Sequence, residues 1–318
     1  MRFQSMATQK DPIHVTAHYL RPSAVGIFEI HVRTIKSGEG FTNIAADFFQ
    51  KVSPTLWRKR KLSMAAQNTL KVTTHMIFGY NGPAADDKTL LTLDPPSPYA
   101  RRVPFHCHPS EAPKQRPREG LRYRDRIELT EDPEIQERNH PDHPSRSNST
   151  TIGGGGIEWG AWLGFSGKEE TLTAPALVLM VDMFTDLLIM LPRSERKGLS
   201  TRCVISLDGA TVNLKIQFYS WFPTMTLSIE FKAPIPKPSE FHASRTVGLY
   251  STGKFIGHPR GRHETYVEVW TAPTNIGEGN PVDGWRDKQV CLAISTQMNL
   301  AIPFDEASKK MDRETTRL

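Results

Sequence analysis

Asp182 and Asp186 are the residues best placed to do chemistry in this sequence, because they interrupt the apolar run "APALVLMVDMFTDLLIML" at 174–191. Their spacing of i and i+4 puts both carboxylates on one face of a predicted helix. An ionised carboxylate among apolar side chains costs several kcal/mol unless it is hydrogen-bonded. Asp182 is therefore either a proton acceptor held by polar partners or, in the alternative, part of a wetter stripe with Asp186 that faces solvent.

Two further polar residues stand where strands are predicted. Thr224 follows Pro223 at the start of "TMTLSIEF", where a hydroxyl can donate to a carboxylate and accept from water. Thr also favours strands for its shape alone, so this role has a plain alternative. Gln297 interrupts "LAISTQMNLAI", and a buried amide needs partners at both ends. A carboxylate and a water would satisfy it, as would a cross-strand main-chain contact.

Other motifs favour simpler explanations. Neighbouring residues of an extended chain point in opposite directions, so the triplet His106, Cys107 and His108 does not predict a zinc site. The run "GGGG" at 153–156 lacks the Lys-Ser/Thr of a phosphate loop and predicts a hinge. The run "WRKRK" at 57–61 could contact nucleic acid or phosphates, but such runs are mostly solvated loops. We predict no metal, no cofactor and no nucleic-acid partner.

Composition points to an intracellular protein. The 318 residues carry a net charge of only +6, and the three cysteines leave one unpaired, which is typical of a reducing compartment. No stretch predicts a signal peptide or a membrane span, so we expect a cytoplasmic protein. The C-terminal "TRL" resembles a peroxisomal Ser-Lys-Leu signal but departs from it at two positions, which leaves peroxisomal import as an alternative.

Alternating apolar and polar residues predict two regions of antiparallel strands. The first occupies residues 1–93, and the second occupies residues 122–313. Prolines and the lack of periodicity predict that residues 94–121 are a linker without a packed core. Residues of about 131–151 have little to bury, and we predict a mobile, disordered insertion that proteases cut first.

The two regions resemble one another. "HVTAHYLRP" aligns with "TMTLSIEFKAP", so that His18 corresponds to Glu230 and Tyr19 to Phe231. A repeat of this length predicts two copies of one α+β domain, each a long helix wrapped by a curved antiparallel sheet.

These motifs, in this order, resemble the double hot-dog acyl-CoA thioesterases, and within them the fungal thioesterase-like branch. The matching pieces include "GGGGIEWGAWLGF", "APALVLMVDMF", "WFPTMTLSIEFKAPIP" and "GRHETYVEVW". The resemblance implies hydrolysis of an acyl-CoA or related thioester by a lipid-metabolism enzyme. It also implies that Asp182, Thr224 and Gln297 together bind the attacking water. A non-catalytic acyl-binding or assembly protein on the same fold is the alternative.

The first half departs from the family pattern. Only a dozen residues precede "HVTAHYL", where the family has a strand, a glycine-containing turn and the central helix. We therefore expect the first hot-dog unit to be incomplete and to lack most of its helix. A sheet face left uncovered in this way predicts self-association.

Overall fold

A large antiparallel sheet with three short helices dominates the computed structural model. The structure describes residues 9–51, 68–82, 93–113, 123–146, 155–191, 201–208, 211–218, 220–257 and 261–303.

The first four strands confirm the alternation seen in the sequence before residue 80. They are β1 Asp11–Tyr19, β2 Phe28–Ser37, β3 Thr42–Lys51 and β4 Asn68–Gly79. Each pairs antiparallel with a neighbour, in the order β2-β3-β4-β1. The predicted meander is therefore present, with β1 moved from the edge to the inside of the sheet.

Most of the remaining strands extend the same sheet. They are β5 Ile127–Glu131, β6 Ile157–Phe165, β7 Thr201–Asp208, β8 Thr211–Phe218, β9 Ser220–Trp221, β10 Thr224–Phe231, β11 Thr246–Gly253, β12 Ile256–Gly257, β13 Arg262–Thr271, β14 Cys291–Asn299 and β15 Ile302–Pro303. The full order is β2-β3-β4-β1-β10-β14-β13-β11-β6-β5, with β12 added beside β13. Strands β7 and β8 form a separate pair, as do β9 and β15. One continuous sheet thus joins the two regions that the sequence separates.

The period of two in the strands gives this sheet two buried faces in its second half. On β6, Trp159 points to one side and Trp162 to the other, and both are fully buried. We call the side of Trp159 the inner face, which also carries Leu249 and Ile229. The side of Trp162 is the outer face. A strand buried on both sides reads as nearly continuous hydrophobic sequence, which is why "IEWGAWLGF" has so little polar character.

Three short helices pack against these faces: α1 Pro133–Glu137, α2 Ala174–Met180 and α3 Leu187–Met190. Thr173 caps α2, since its hydroxyl accepts a hydrogen bond from the Ala176 amide at 3.3 Å. Leu177 and Met180 of α2 and Leu187 of α3 are buried against the inner face. Within the described ranges, none of the helices has the length and apolar character needed to cross a bilayer.

The prediction of one continuous helix over 174–191 was wrong. Helix α2 ends in a tight turn, in which the Asp182 and Met183 amides donate to carbonyls three residues back, at 3.2 and 2.9 Å. Asp186 then begins α3 by accepting a hydrogen bond from the Leu188 amide at 3.1 Å. An Asp side chain competes for main-chain amides in this way, so it interrupts a helix that hydrophobic periodicity alone would continue. Asp182 therefore lies in a turn rather than inside a helix.

The prediction that residues 94–121 lack a packed core was wrong for the described part, 94–113. Val103 and Phe105 are fully buried on the outer face. The Phe105 ring lies 4.3 Å from that of Trp162, and the Trp162 indole donates to the Cys107 carbonyl at 2.9 Å. Two glycines of the sheet, Gly160 and Gly248, permit this close approach, since a Cβ at either would lie within 2.5 Å of a side-chain atom of α1 or the linker.

The expected disorder of residues 131–151 is also contradicted as far as residue 146. Asp132 caps α1 by accepting from the Glu134 and Ile135 amides, and its second oxygen accepts from the His106 and Cys107 amides. Ile135 is fully buried on the outer face. One apolar side chain and one buried cap thus order a segment whose composition is otherwise that of a loop. Residues 147–151 lie outside the described ranges.

The first half differs from the second. Among residues 9–51 and 68–82 the structure describes strands and turns but no helix. Phe28, Ile30 and Val32 of β2 are exposed. Self-association through this face stays a prediction.

Helix α3 sits on a glycine of the sheet, which gives the first testable consequence. A Cβ at Gly253 would lie 2.8 Å from Leu187 Cδ1 and 2.9 Å from the Glu264 carbonyl oxygen. Displacing the main-chain carbonyl costs free energy, so we expect Gly253→Ala to lower the free energy of unfolding by about 1–3 kcal/mol. Gly40→Ala is the matched control, since a Cβ there meets no atom within 4 Å. Equal unfolding midpoints in urea for the two variants would contradict the close packing of α3 against Gly253.

Candidate functional site

Three elements converge on the inner face near the end of α2. Asp182 directly follows the α2 C-cap residue Val181, and Thr224 is the first residue of β10. Gln297 lies on β14, where its register partners are Leu227 of β10 and Thr265 of β13. All are distant in sequence, and the sheet brings them together. The sequence-predicted site residues are thus all in one place.

The side chains form a connected polar group. Thr224 Oγ1 lies 3.3 Å from Asp182 Oδ1 and 3.5 Å from Gln297 Oε1. Since a hydroxyl has one proton, Thr224 can donate to only one of these acceptors at a time. The Gln297 side-chain nitrogen donates to the Val181 carbonyl at 3.0 Å, which ties β14 to the end of α2. Gln297 is 2% exposed, so this bond holds a buried amide in one orientation.

The environment of Asp182 favours the protonated form. Part of its surface remains open to solvent, while protein atoms displace water from the rest of the carboxyl group. This desolvation raises the pKa of Asp182 above its usual value, and hydrogen bonds from Thr224 and Gln297 oppose the rise. A carboxylate that is reachable from solvent and has a raised pKa is a better proton acceptor than an ordinary surface aspartate.

Two tyrosines that sequence reasoning missed stand close to this carboxylate. Burial raises the pKa of Tyr19, at the end of β1, and the negative charge of Asp182 raises it further. The same two causes, in the same order, raise the pKa of Tyr123, which precedes β5. Both phenols therefore stay neutral and able to donate hydrogen bonds. Tyr19 belongs to the first half of the chain, so the surroundings of Asp182 include both halves.

Asp186, the other carboxylate of the run, has a different role. Besides capping α3 it lies 3.8 Å from His263 Nε2. His263 Nδ1 donates to the Gly261 carbonyl at 2.7 Å, and the side chain is buried. Asp186 thus belongs to the support of α3 on β13. No local signal in the sequence separates it from Asp182, because the two share their spacing and their apolar neighbours.

The triplet His106, Cys107 and His108 serves the linker. The first two residues donate their main-chain amides to Asp132, and the His108 ring nitrogen Nδ1 pairs with the Ser110 hydroxyl at 2.7 Å. Within the part of the chain that the structure describes, no group of three or more His, Cys, Asp or Glu side chains could hold a metal ion. The basic run at 57–61 lies outside the described ranges.

Sequence comparison adds a family to this geometry. The family model described as the acyl-CoA thioesterase C-terminal domain matches residues 104–277. This range contains Asp182 and Thr224 but ends before Gln297. No curated protein matches the chain in sequence.

Solved structures show the same fold at low identity. The chain is similar to a putative thioesterase II from Thermobifida fusca YX, with a TM-score of 0.56 and 16% identity over 93% of this chain and 80% of that one. It is also similar to a conserved protein of unknown function with hot dog fold from Alicyclobacillus acidocaldarius (TM-score 0.52, 12% identity, 94% and 83% covered). A putative thioesterase from Novosphingobium aromaticivorans DSM 12444 is comparable (0.51, 12%, 94% and 82%). At these identities the likeness shows the fold alone, a hot-dog fold.

Proposed function

Because this chain belongs to the family of the acyl-CoA thioesterase C-terminal domain, we propose that it hydrolyses an acyl-CoA or related thioester at the site of Asp182, Thr224 and Gln297. The observation that carries the proposal is the solvent-accessible Asp182 carboxylate, 3.3 Å from the Thr224 hydroxyl and linked through it to Gln297. Family membership supports the reaction class. The roles of the three residues, and the fungal branch, are proposals.

The proposed reaction uses Asp182 as a general base. A water held between the Asp182 carboxylate and the Gln297 amide oxygen gives its proton to Asp182 as its oxygen attacks the thioester carbonyl. The carbon–sulfur bond of the tetrahedral intermediate then breaks, and the proton held by Asp182 passes to the departing sulfur. The products are a carboxylic acid and a free thiol, with every atom accounted for and no covalent enzyme intermediate.

The two neutral phenols have a place in this scheme. A thioester oxygen gains negative charge in the transition state, and a hydrogen-bond donor aimed at it lowers the barrier. Tyr19 and Tyr123 border Asp182 and remain protonated, since burial and the Asp182 charge raise the pKa of both. In this proposal they donate hydrogen bonds to the thioester oxygen.

We further propose that the sheet is a double hot dog with its two halves joined at β1 and β10. The sequence alignment that matches His18 with Glu230 also matches Thr16 with Ser228, and those last two residues are Cα partners in the β1–β10 ladder. Equivalent residues pair in this way only where a local twofold axis crosses the ladder. The same axis relates the pair His14 and Glu230 to the pair His18 and Thr226. In this scheme the units are residues 1–93 and 122–313.

Release of free thiol from acyl-CoA tests the proposed function. Acetyl-, octanoyl- and palmitoyl-CoA are supplied in turn, and the thiol is measured with a chromogenic disulfide. We expect saturable release that is strongly reduced in an Asp182→Asn chain. Tight binding of acyl-CoA without release would favour an acyl-binding protein instead. If the protein neither binds nor hydrolyses acyl-CoA of any of these chain lengths, both the thioesterase and the acyl-binding hypotheses are overturned.

Thr224 and Gln297 should act as helpers of Asp182 rather than independently. Loss of one positioned hydrogen bond corresponds to about tenfold in rate, so we expect Thr224→Ala and Gln297→Ala each to lower kcat about tenfold. Thr224→Ser keeps the hydroxyl and should retain most of the rate. Adding either Ala change to Asp182→Asn should lower the rate little further, because all three groups hold one water. Multiplicative losses in the double variants would contradict a shared water.

The raised pKa of Asp182 predicts the shape of the pH profile. The base acts only when ionised, so kcat/KM should fall as pH falls through the Asp182 pKa. Desolvation raises this pKa, which places the acidic limb above the range of an ordinary aspartate. Rates of wild type measured from neutral to acidic pH locate the limb. Asp182→Asn should show residual hydrolysis without it, and an unchanged limb in that variant would assign the titration to another group.

A further inference from the structure

A groove lies between the linker and the outer face of the sheet, on the side opposite Asp182. Two adjoining cavities of about 370 and 280 Å³ form it, and they share Arg101, Glu158 and Tyr250 in their walls. The register places Glu158 and Tyr250 on the outer face, since their neighbours Trp159 and Leu249 face inward. The combined volume of the two cavities is within the range of small-molecule binding sites.

Arginines dominate the larger cavity. Arg101 pairs with Glu268 through two hydrogen bonds of 3.1 Å. The other two ion pairs are Arg102 with Asp287 at 2.8 Å and Arg138 with Glu158 at 2.9 Å.

Two more arginines have no carboxylate partner among the described residues. Arg286 lines the larger cavity and donates to the Val103 carbonyl at 3.2 Å, which uses one of its five N–H groups. Arg146, outside the lining of both cavities, donates to Asn139 and to the main-chain carbonyls of Arg138 and Gly156. The walls of the two cavities thus carry four arginines and Lys254 against two carboxylates, Glu158 and Glu268. At the rim, Glu134 lies 3.1 Å from His106 Nδ1 and adds one carboxylate, which leaves the excess of positive charge in place.

The walls also offer aromatic surface and phenol hydroxyls. The Tyr250 hydroxyl donates to Glu158 at 2.5 Å, and Tyr266 lines the smaller cavity. Burial, together with the charge of Glu268, raises the pKa of Tyr266 to about 12, so this phenol remains protonated at neutral pH. A ligand with an anionic head and a flat body would meet complementary groups at both ends.

We propose that this groove binds a phosphate monoester, with its phosphate held by Arg286 and Arg101 and its organic part against Tyr250 and Tyr266. The planar guanidinium group of arginine matches phosphate oxygens in a two-bond arrangement, and Arg286 has the donors free to make it. The ligand is separate from the thioester, because the whole sheet lies between the groove and Asp182. Binding here is independent of hydrolysis.

Calorimetric titration with phenyl phosphate, inorganic phosphate and phenol, at neutral pH and constant ionic strength, tests the proposal. We expect saturable binding of phenyl phosphate and none of phenol. If inorganic phosphate binds as tightly as phenyl phosphate, the groove recognises the phosphate group alone. If inorganic phosphate binds more weakly, the phenyl group also contributes to binding. Both outcomes support the site. Phenol binding as tightly as phenyl phosphate, or no saturable binding of either phosphate, overturns it.

Variants separate the groove from general charge effects. Arg286→Glu should weaken phenyl phosphate binding at least about tenfold. Arg33→Glu makes the same charge change on β2, and Asp182→Asn alters the other face; both should leave the affinity unchanged. Glu158→Gln, which keeps an acceptor for Tyr250, should tighten binding a few-fold because it removes a negative charge. Equal losses in Arg286→Glu and Arg33→Glu, with folding verified by circular dichroism, would overturn the proposal.

Discussion

Asp182→Asn is expected to lower the rate of acyl-CoA hydrolysis by about 10²-fold or more, since removal of a general base typically costs 10²–10⁴. Asparagine keeps the shape of the side chain and can still accept from Thr224, so the loss reports on the base itself. The measurement is kcat for thiol release by wild type and variant under identical conditions. Asp186→Asn is the companion variant, because it changes the neighbouring carboxylate that caps α3.

The same variant should not destabilise the fold. The folded-state pKa of Asp182 is raised, so protonation favours folding. This contribution is fully present below the unfolded-state pKa and is lost as pH rises through the folded-state value. At neutral pH the ionised carboxylate therefore opposes folding, and its replacement by a neutral amide should raise the melting temperature.

Full activity in Asp182→Asn with none in Asp186→Asn would move the base to Asp186, and activity in both would overturn the proposed site.

Phe105→Ala is expected to cost about 3–5 kcal/mol of the free energy of unfolding, the usual penalty for emptying a buried phenylalanine site. Phe105 is 0% exposed and lies against Trp162 and next to Gly248. The side chain comes from the linker, so this cost measures how firmly the linker packs on the outer face. Urea unfolding curves for wild type and variant give the value.

Phe255→Ala is the matched control for this experiment. It removes the same ring from a side chain that is 77% exposed, and such a change should stay within about 0.5 kcal/mol. If Phe105→Ala leaves too little folded protein, Phe105→Leu should show a smaller loss in the same direction. Equal costs for Phe105→Ala and Phe255→Ala would show that the linker does not contribute to the core.

Several features were readable from the residues alone because they depend on local pattern. Strand-like sequence patterns predicted β1 to β6, β8, β10, β11, β13 and β14, and Thr173 with Pro175 marked the start of α2. The motif resemblance named Asp182, Thr224 and Gln297. In the structure Thr224 lies within hydrogen-bonding distance of both other side chains. Thr224 follows Pro223 at the start of β10, and this position brings its hydroxyl to Asp182 at the end of α2.

Other features depend on which distant residues meet, and local pattern carries no such information. The helix break at 182–186 follows from the capping bond of Asp186, which competes with hydrophobic periodicity. The linker looks unstructured by composition, yet Val103 and Phe105 find a second buried face on the sheet, at glycines too small to exclude them. Tyr19, Tyr123 and the arginine groove combine segments far apart in the chain. Burial and charge depend on distances in space, which only the packing of the whole sheet creates.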